Sequence, residues 1–267
     1  MIPMPAWLIT FDFATFVHTT VVGQVIFSKI GALIVFSLAY KAYTVQKAHE
    51  ILLAAALRTG SSLPEPVKEE ITTYFKKHHG LTIGLSDSEG CVAWLMSFQY
   101  KGRKFIFIPA QDRTVLCEGL THGLDKKNIF AMLDHEADHF KHPDVLIRNI
   151  CATLIEPTAL LAGKIANIYG VDIVNSIVIG VFVNVLGAVL KQKLISQRQE
   201  KRCDFAAGTT PEKCLAIADY LKVRFLPLDQ VATPYQIIIH RFFGDHPLNA
   251  VRIGYMEKRA EELEQQK

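Results

Sequence analysis

The chain has 267 residues, of which 50% are apolar and 21% are charged, and its mean hydropathy is +0.20. This composition is more apolar than that of an ordinary soluble domain, and it allows either one large core or a smaller core with membrane segments. The 29 basic residues are interspersed with 26 acidic ones, which argues against nucleic acid as a partner, and the five cysteines are odd in number and widely spaced, which argues against a disulfide framework.

The N-terminal segment predicts a membrane anchor. Residues from Pro5 to Tyr40 are mainly apolar and aromatic, and they follow a start without lysine or arginine, unlike a secretory signal peptide. Thr20 to Tyr40 is long enough to cross a bilayer once, with Lys29 near its middle, where a charge needs a partner. The sequence leaves open whether Pro5 to Thr19 makes a second crossing.

A helix and three strands are predicted next. Pro66 is placed to begin a helix that Gly80 ends, with His78 and His79 as solvated cations at its C-terminal end. Strand-like runs follow, at Leu81 to Gly84, Cys91 to Phe98 and Lys104 to Pro109. The last two form a hairpin, which either holds an extended peptide along an edge or simply covers the next helix.

That next helix carries the main chemical motif. Asp125 is a plausible N-cap, and an apolar-periodic segment from Asn128 to Phe140 contains the sequence H-E-x-x-H. His135 and His139 are four residues apart and so lie on the same helix face, where both imidazoles reach one zinc ion. Glu136 is then placed to take a proton from a water molecule. The alternative is a helix with two surface histidines; His142 is interpreted as a helix-end residue.

Two long apolar stretches follow. Ile150 to Tyr169 and Val171 to Leu190 are each about one bilayer crossing long, with Gly170 between them, and they predict a transmembrane helical hairpin. A buried helix pair in a soluble protein is the alternative. Basic residues flank both outer ends of the hairpin, so the positive-inside rule predicts that these ends are cytoplasmic.

The hairpin limits where a third metal ligand can lie. Two crossings return the chain to the side on which the histidines lie, so a ligand is expected there, either before the hairpin or beyond Leu190. Glu200 and Asp204 satisfy this condition, and their spacing places both carboxylates on one helix face. Glu200 is the candidate ligand, and Asp204 is the candidate acceptor for the other ring N–H of a ligand histidine. The alternative is an ordinary solvated helix face.

Taken together, these motifs resemble one known family. The chain has H-E-x-x-H, then K-H-x-D, the apolar hairpin, E-x-x-x-D, His246-Pro247 and Arg252-Ile253. This order is similar to that of the membrane-bound gluzincin zinc metallopeptidases of the HtpX and CAAX prenyl protease family. The resemblance implies that zinc binds His135, His139 and Glu200, that Glu136 is the base, and that Asp204 orients a ligand. It also implies that His246 hydrogen-bonds the substrate or transition state, and that Arg252 lies near the site.

Two departures from the family pattern affect what is expected. Asp134 and Asp138 stand where the family has small or apolar residues, so they add negative charge near the metal. The strand at Cys91 to Trp94 lacks the asparagine that the family places before its zinc helix. The two aspartates suggest a catalytically inactive scaffold as one alternative, and the missing asparagine bears on substrate binding at the strand.

The predicted fold is α+β and mainly helical, a zincin-type domain with a small β-sheet. Four segments are expected: an N-terminal membrane anchor (1–45), the first part of the zincin domain (46–149), the transmembrane hairpin (150–190) and the second part of the domain (191–267).

The expected function is that of an integral membrane zinc endopeptidase that faces the cytoplasm. Its expected cofactor is one zinc ion, and its expected partners are a protein or peptide substrate and the lipid bilayer. A role in protein quality control is expected, and a protease of lipidated, CAAX-type peptides is the second possibility.

Overall fold

The computed structural model describes residues 61–86, 95–100, 103–120 and 123–266. Residues 150–188 belong to one compact unit, and the other described residues belong to a second, which we call the catalytic unit. The predicted N-terminal anchor and the Cys91 to Trp94 segment lie outside the described residues. The α+β, mainly helical fold class is confirmed.

The catalytic unit begins with helix α1 (Glu65–His79). Val67, Ile71 and Phe75 are buried along one face of α1, as the periodicity predicts. The helix ends at Gly80, which adopts a left-handed conformation with φ of 66°. Glycine has no Cβ and accepts this conformation without steric cost, so the chain turns directly toward the sheet.

The sheet has three described strands, β1 (Ile83–Ser86), β2 (Met96–Tyr100) and β3 (Arg103–Phe107). Their order is β1-β3-β2, with β1 parallel and β2 antiparallel to β3. The predicted hairpin is therefore present, and β2 is an edge strand among the strands that the structure describes. Ile106 of β3 is fully buried in the core.

Helix α2 (Ala110–Glu118), which the sequence analysis missed, leads to helix α3 (Lys126–Lys141). Asp125 caps α3, since its side chain accepts the backbone N–H groups of Lys127 and Asn128. The Asn128 side chain accepts the Asp125 N–H in return, so this capping box fixes where the helix begins. Every residue from Ile129 to Phe140 is buried except Phe130.

The remaining elements of the catalytic unit are all helical. A single π-turn (Gln192–Ser196) is followed by α6 (Gln197–Ala207), α7 (Pro211–Arg224), α8 (Leu226–Val231), α9 (Pro234–Phe243) and α10 (Asn249–Glu264). Helix α7 packs against both α3 and α10, and Ile217 and Leu221 of α7 are fully buried. Helix α7 was not predicted from the sequence, although it is central to this core.

Residues 150–188 lie in two helices, α4 (Asp144–Ile168) and α5 (Ile173–Lys191), which pack as an antiparallel hairpin. Backbone approaches backbone closely there, because a Cβ added at Gly163 would lie 2.7 Å from the Ser176 carbonyl oxygen, and one at Gly180 would lie 3.1 Å from that of Ala159. Small residues at such crossings are typical of membrane helix pairs.

The hairpin exposes most of its apolar side chains. The helices that contain it, Leu146–Ile168 and Ile173–Ala207, are long and apolar enough to cross a membrane, and only 6% of the most apolar stretch of each is buried. The exposed side chains with the largest accessible fractions include Tyr169, Ile173, Val174, Ile177, Val181 and Phe182. A core helix of a soluble protein usually buries such residues, so the exposed side chains of this hairpin suit an apolar environment.

Replacing Gly163 by alanine is expected to lower stability by about 1–3 kcal/mol, because the added methyl group meets backbone that cannot rotate away. Gly254→Ala in α10 is the matched control, since nothing lies within 4 Å of a Cβ at Gly254. That change is expected to leave stability the same or raise it by about 0.5–1 kcal/mol through helix propensity. Thermal unfolding of the full chain in detergent measures both, and equal melting temperatures would contradict the close packing.

Candidate active site

The centre of the site is formed by two histidines of α3 and one glutamate of α6. The Nε2 atom of His135 lies 3.3 Å from one carboxylate oxygen of Glu200, and the Nε2 atom of His139 lies 3.4 Å from the other. The exposed fractions of the three side chains are 2%, 7% and 1%. The structure therefore brings together the three residues that the sequence singles out as metal ligands.

The distances among these three side chains fit a single metal ion. Zinc binds nitrogen and oxygen at about 2.0–2.2 Å in a tetrahedron, which places neighbouring donors roughly 3.3–3.5 Å apart. The observed separations of 3.3 and 3.4 Å fall in this range. In addition, the Oε2 atom of Glu200 faces imidazole nitrogens of His135 and His246, at 3.3 and 2.8 Å, so the groups around this buried oxygen are themselves suited to bind a cation.

Electrostatics favour positive charge at the two imidazoles. Burial alone would lower the pKa of His135, but the Asp204 and Glu200 carboxylates raise it to about 10. Burial alone would also lower the pKa of His139. A hydrogen bond to Asp144 and the charge of Glu200 outweigh burial and raise that pKa to about 10. A site that favours protons this strongly also favours a metal cation in their place, so metal binding is coupled to proton release.

Each imidazole is oriented by a carboxylate at its other nitrogen. The Nδ1 atom of His135 lies 2.8 Å from Asp204, as the sequence analysis expected of that residue. The Nδ1 atom of His139 lies 2.9 Å from Asp144, a contact that the sequence analysis missed. The available signal was the proximity of Asp144 to the histidines in the K-H-x-D stretch. Such contacts fix the ring and its tautomer, so that Nε2 faces the metal position.

The two orienting carboxylates are held by arginines. Arg252 donates two hydrogen bonds to Asp204, of 2.9 and 2.6 Å, and the Tyr255 hydroxyl also contacts Asp204. Arg252, predicted to lie near the site, therefore acts on it through Asp204. Arg202 donates two hydrogen bonds to Asp144 in the same way, of 3.0 and 2.6 Å. These bidentate pairs restrict both position and orientation of the carboxylates.

Cys203 is a second buried group beside His139 that was predicted only as a reduced thiol. His135, His139 and Cys203 offer atoms close enough together to hold a metal ion. However, the Cys203 sulfur approaches His139 at Nδ1, at 3.4 Å, and that nitrogen already contacts Asp144. Glu200 instead faces the Nε2 atoms of both histidines. The glutamate therefore suits one shared ion better than the thiol does.

Asp134 and Asp138, the residues that depart from the family pattern, both have cationic partners. Asp134 contacts the Lys213 ammonium at 2.6 Å, the Tyr74 hydroxyl at 2.6 Å and His79 at 2.8 Å. The prediction that His79 is solvated is therefore wrong, because the side chain is only 10% exposed and is directed at this carboxylate.

Asp138 is neutralised in the same manner. It accepts a hydrogen bond of 2.9 Å from Arg202, and the Cys203 thiol lies 3.4 Å away. His142, at the C-cap of α3, lies 3.7 Å from Asp138 and is 44% exposed, in agreement with its interpretation as a helix-end residue. The charge of both aspartates is thus compensated locally and is not directed at the metal position.

A cavity of about 490 Å³ opens onto these residues. Glu136 lines it, and its Oε2 atom accepts a 2.7 Å hydrogen bond from the backbone N–H of Ser97 on edge strand β2. His246 also lines the cavity, 44% exposed, with Nδ1 2.8 Å from Oε2 of Glu200. The structure therefore brings Glu136 and His246 to the same cavity as two of the candidate ligands, His135 and Glu200. Its apolar walls include Leu95, Met132, Tyr220, Ile237 and Leu248.

One further cation near the site was considered in the sequence only as a basic residue before the hairpin. An Arg148 nitrogen lies 3.8 Å from the Oε1 atom of Glu200, and the side chain is 24% exposed. Arg148 lies in the second turn of α4, and α4 begins three residues after the end of α3. Arg148 is therefore close enough in the chain to reach the site.

The comparisons with known proteins agree with this chemistry. The model of peptidase family M48 matches residues 105–260, which is 156 of the 267 residues and more than half of the chain. The matched segment includes α3, α6 and most of α10. No curated protein and no solved structure matches the chain.

Replacing Asp144 by asparagine is expected to weaken zinc binding by roughly 10- to 100-fold, because His139 loses the carboxylate that fixes its ring. Competition with a chelating dye measures the affinity. Asp138→Asn is the matched control, since Asp138 shares the Arg202 partner, whereas the carboxylate beside the Nδ1 atom of His139 is that of Asp144. Equal losses in the two variants would show that Asp144 acts only by holding Arg202.

Proposed function

The chain belongs to peptidase family M48, which contains the HtpX and CAAX proteases, and we propose that it is a membrane-bound, zinc-dependent endopeptidase. A metallopeptidase function follows from the family. The observation that carries the more specific proposal is the approach of the Nε2 atoms of His135 and His139 to within 3.4 Å of the Glu200 carboxylate oxygens, with Glu136 and Glu200 on the same cavity.

In this proposal His135, His139 and Glu200 hold the zinc ion. Two imidazoles and one carboxylate form a donor set that is found at catalytic zinc sites. When bound, zinc supplies Lewis acidity, which polarises a peptide carbonyl and lowers the pKa of a water molecule. Asp204 and Asp144 keep the two rings in position, and Arg252 and Arg202 hold those carboxylates.

Glu136 is the proposed general base and acid. It takes a proton from the attacking water and then gives that proton to the leaving amine, so one carboxylate serves both steps. The Ser97 N–H group binds one of its oxygens at 2.7 Å, and this contact limits the rotation of the carboxylate beside the cavity. His246 is proposed to hydrogen-bond the substrate carbonyl oxygen as negative charge develops there.

Strand β2 is the proposed substrate support. Its outer edge faces α3, as the hydrogen bond from Ser97 to Glu136 indicates. An extended peptide that pairs with this edge places its backbone next to the base. Of the two readings that the sequence left open for the hairpin, we therefore favour substrate binding over simple coverage of α3.

The proposal also includes the membrane and the side on which the site lies. The exposed apolar hairpin is suited to cross a bilayer, and basic residues flank its outer ends, namely Lys141 and Arg148 before it and Lys191, Lys193 and Arg198 after it. The positive-inside rule then places the active site in the cytoplasm. A protease in this position is suited to protein quality control at the membrane.

A protease of lipidated, CAAX-type peptides is the second candidate. The apolar walls of the 490 Å³ cavity favour it, because they offer a surface for a hydrocarbon chain. The inactive-scaffold alternative loses its main support, since it rested on the charges of Asp134 and Asp138, and Lys213 and Arg202 compensate them.

Glu136→Gln is expected to retain about one zinc ion per chain and to lose casein cleavage by roughly 10²- to 10⁴-fold, because the amide cannot accept the proton. Glu200→Ala is expected to lose both zinc and cleavage, because it removes a ligand. Metal analysis and casein digestion in detergent measure the two effects. Glu261→Gln, on the exposed side of α10, is the control. Undiminished cleavage by purified Glu136→Gln protein would rule out the mechanism.

A pair of peptides distinguishes the two substrate classes. We expect a farnesylated peptide and the same peptide without the lipid to be cleaved at rates that differ by less than about threefold, because the quality-control role requires no lipid. Rates are followed by mass spectrometry, with Glu136→Gln protein as the background. A preference of roughly tenfold or more for the farnesylated peptide would favour the CAAX-type function.

A further inference from the structure

Helix α9 (Pro234–Phe243) is the most apolar surface element of the catalytic unit. Seven of its ten residues are apolar or aromatic. The structure describes all ten, and none of them is buried. Its exposed large side chains are Tyr235, Ile237, Ile238, Ile239, Phe242 and Phe243. An apolar helix whose large apolar side chains all remain at least 37% exposed is unusual, since contiguous apolar patches mark interaction surfaces.

The sequence of α9 does not stabilise a solvated helix. Ten residues are too few for an isolated helix in water, and three consecutive isoleucines lower its intrinsic helix propensity. A capping box between Thr233 and Gln236 fixes the first turn, but it does not compensate for exposed hydrocarbon. The helix therefore requires an apolar partner.

The position of α9 indicates what that partner is. The helix packs against the π-turn Gln192–Ser196, where Lys193 lies 6.0 Å from the Phe242 ring centre. The Gln197 side chain also donates to the Gly244 carbonyl at 3.3 Å. This π-turn belongs to the continuous helix Ile173–Ala207, and it begins two residues beyond Leu190, where the apolar stretch ends. The segment that α9 contacts is therefore the first one beyond the apolar stretch, where a chain that has crossed a bilayer reaches the headgroup region.

We propose that α9 is an interfacial helix that inserts its apolar side into the lipid bilayer. This inference rests on the proposed membrane crossing of the hairpin. The composition suits an interfacial location, because aromatic residues such as Tyr235 and Phe242 are enriched at the membrane boundary. Lys193 and Arg241 stand in or beside the contact region, and their charges suit anionic lipid headgroups, whereas the nearby Lys191 lies 3.8 Å from Asp245.

The other side of α9 faces the active-site cavity. Gln236, Ile237 and His240 line that cavity together with His135 and Glu136. One helix therefore contacts lipid on one side and forms a wall of the catalytic cavity on the other. A peptide segment that emerges from the bilayer surface meets this wall first. The substrate class implied by this position is a polypeptide at the membrane boundary.

The test measures whether α9 touches lipid, and it does not depend on catalysis. The chain has two tryptophans, Trp7 and Trp94, and replacing both by phenylalanine gives a background without tryptophan emission. Phe242→Trp in this background reports on α9. Leu215→Trp on α7 is the matched control, because Leu215 is 42% exposed and Phe242 is 43% exposed. Tyr235→Trp is a second reporter on α9 in case the first variant does not fold.

The full-length variants are reconstituted in phosphatidylcholine and phosphatidylglycerol vesicles, with and without bromine on the acyl chains. We expect bromine to reduce the emission of Trp at position 242 by about twofold or more and to leave that at position 215 nearly unchanged, because bromine quenches only tryptophan in contact with the acyl chains. Absence of quenching at both position 242 and position 235 would overturn the proposal. Emission at position 242 that changes with protein density instead of bromine would also overturn it, and would assign α9 to contact between copies of the chain.

A third reporter separates this inference from its premise. Val181→Trp lies in the hairpin, where the side chain is 58% exposed. Quenching at position 181 without quenching in α9 overturns the interfacial helix alone. Absence of quenching at 181 overturns the membrane crossing as well, whereas the casein assay tests the peptidase proposal independently of either result.

Discussion

The site depends on one buried carboxylate. Glu200 is 1% exposed, and a charged group at this depth is tolerated only when cations or hydrogen-bond donors surround it. His135, His139 and His246 approach its oxygens to between 2.8 and 3.4 Å, and Arg148 adds a fourth contact at 3.8 Å. The geometry that suits a metal ion is thus also the geometry that makes burial of Glu200 possible, and loss of either would affect the other.

Beyond this carboxylate, acids and cations alternate outward from the site. Asp204 is paired with Arg252, Asp144 with Arg202, and Asp134 with Lys213. Each acid therefore has a cation of its own, and Arg202 serves Asp138 as well. The two extra aspartates of α3 are therefore neutralised by their own cations. The carboxylates that act on the imidazoles are Asp204, Asp144 and Glu200. The buried ion pairs fix orientation, which is the use for which such pairs are best suited, since their net stabilisation is small.

The helix that carries Glu200 is interrupted by a π-turn at Gln192–Ser196, just before the site. A π-turn inserts one extra residue in the helical repeat, and such turns are frequent at functional sites. After it, the buried residues are Gln199, Glu200, Cys203, Asp204 and Ala207, a single stripe at helical spacing. The sequence before the turn is mainly apolar, so the π-turn marks the change from a helix suited to lipid to one that carries charged groups toward α3.

The sequence alone determined whatever depends on local spacing: the start of α3 at Asp125, the common face of His135 and His139, the four-residue spacing of Glu200 and Asp204, the β-hairpin and the two apolar helices. Only the tertiary structure decided which distant groups meet. Asp144 and Arg202 are 58 residues apart, Asp134 and Lys213 are 79 apart, and neither pair has a periodic signature. The burial of His79, the central place of α7 and the exposure of α9 likewise depend on packing between elements. Helical and strand periodicity specify which face a residue occupies, but the partner of that face is set by the whole fold.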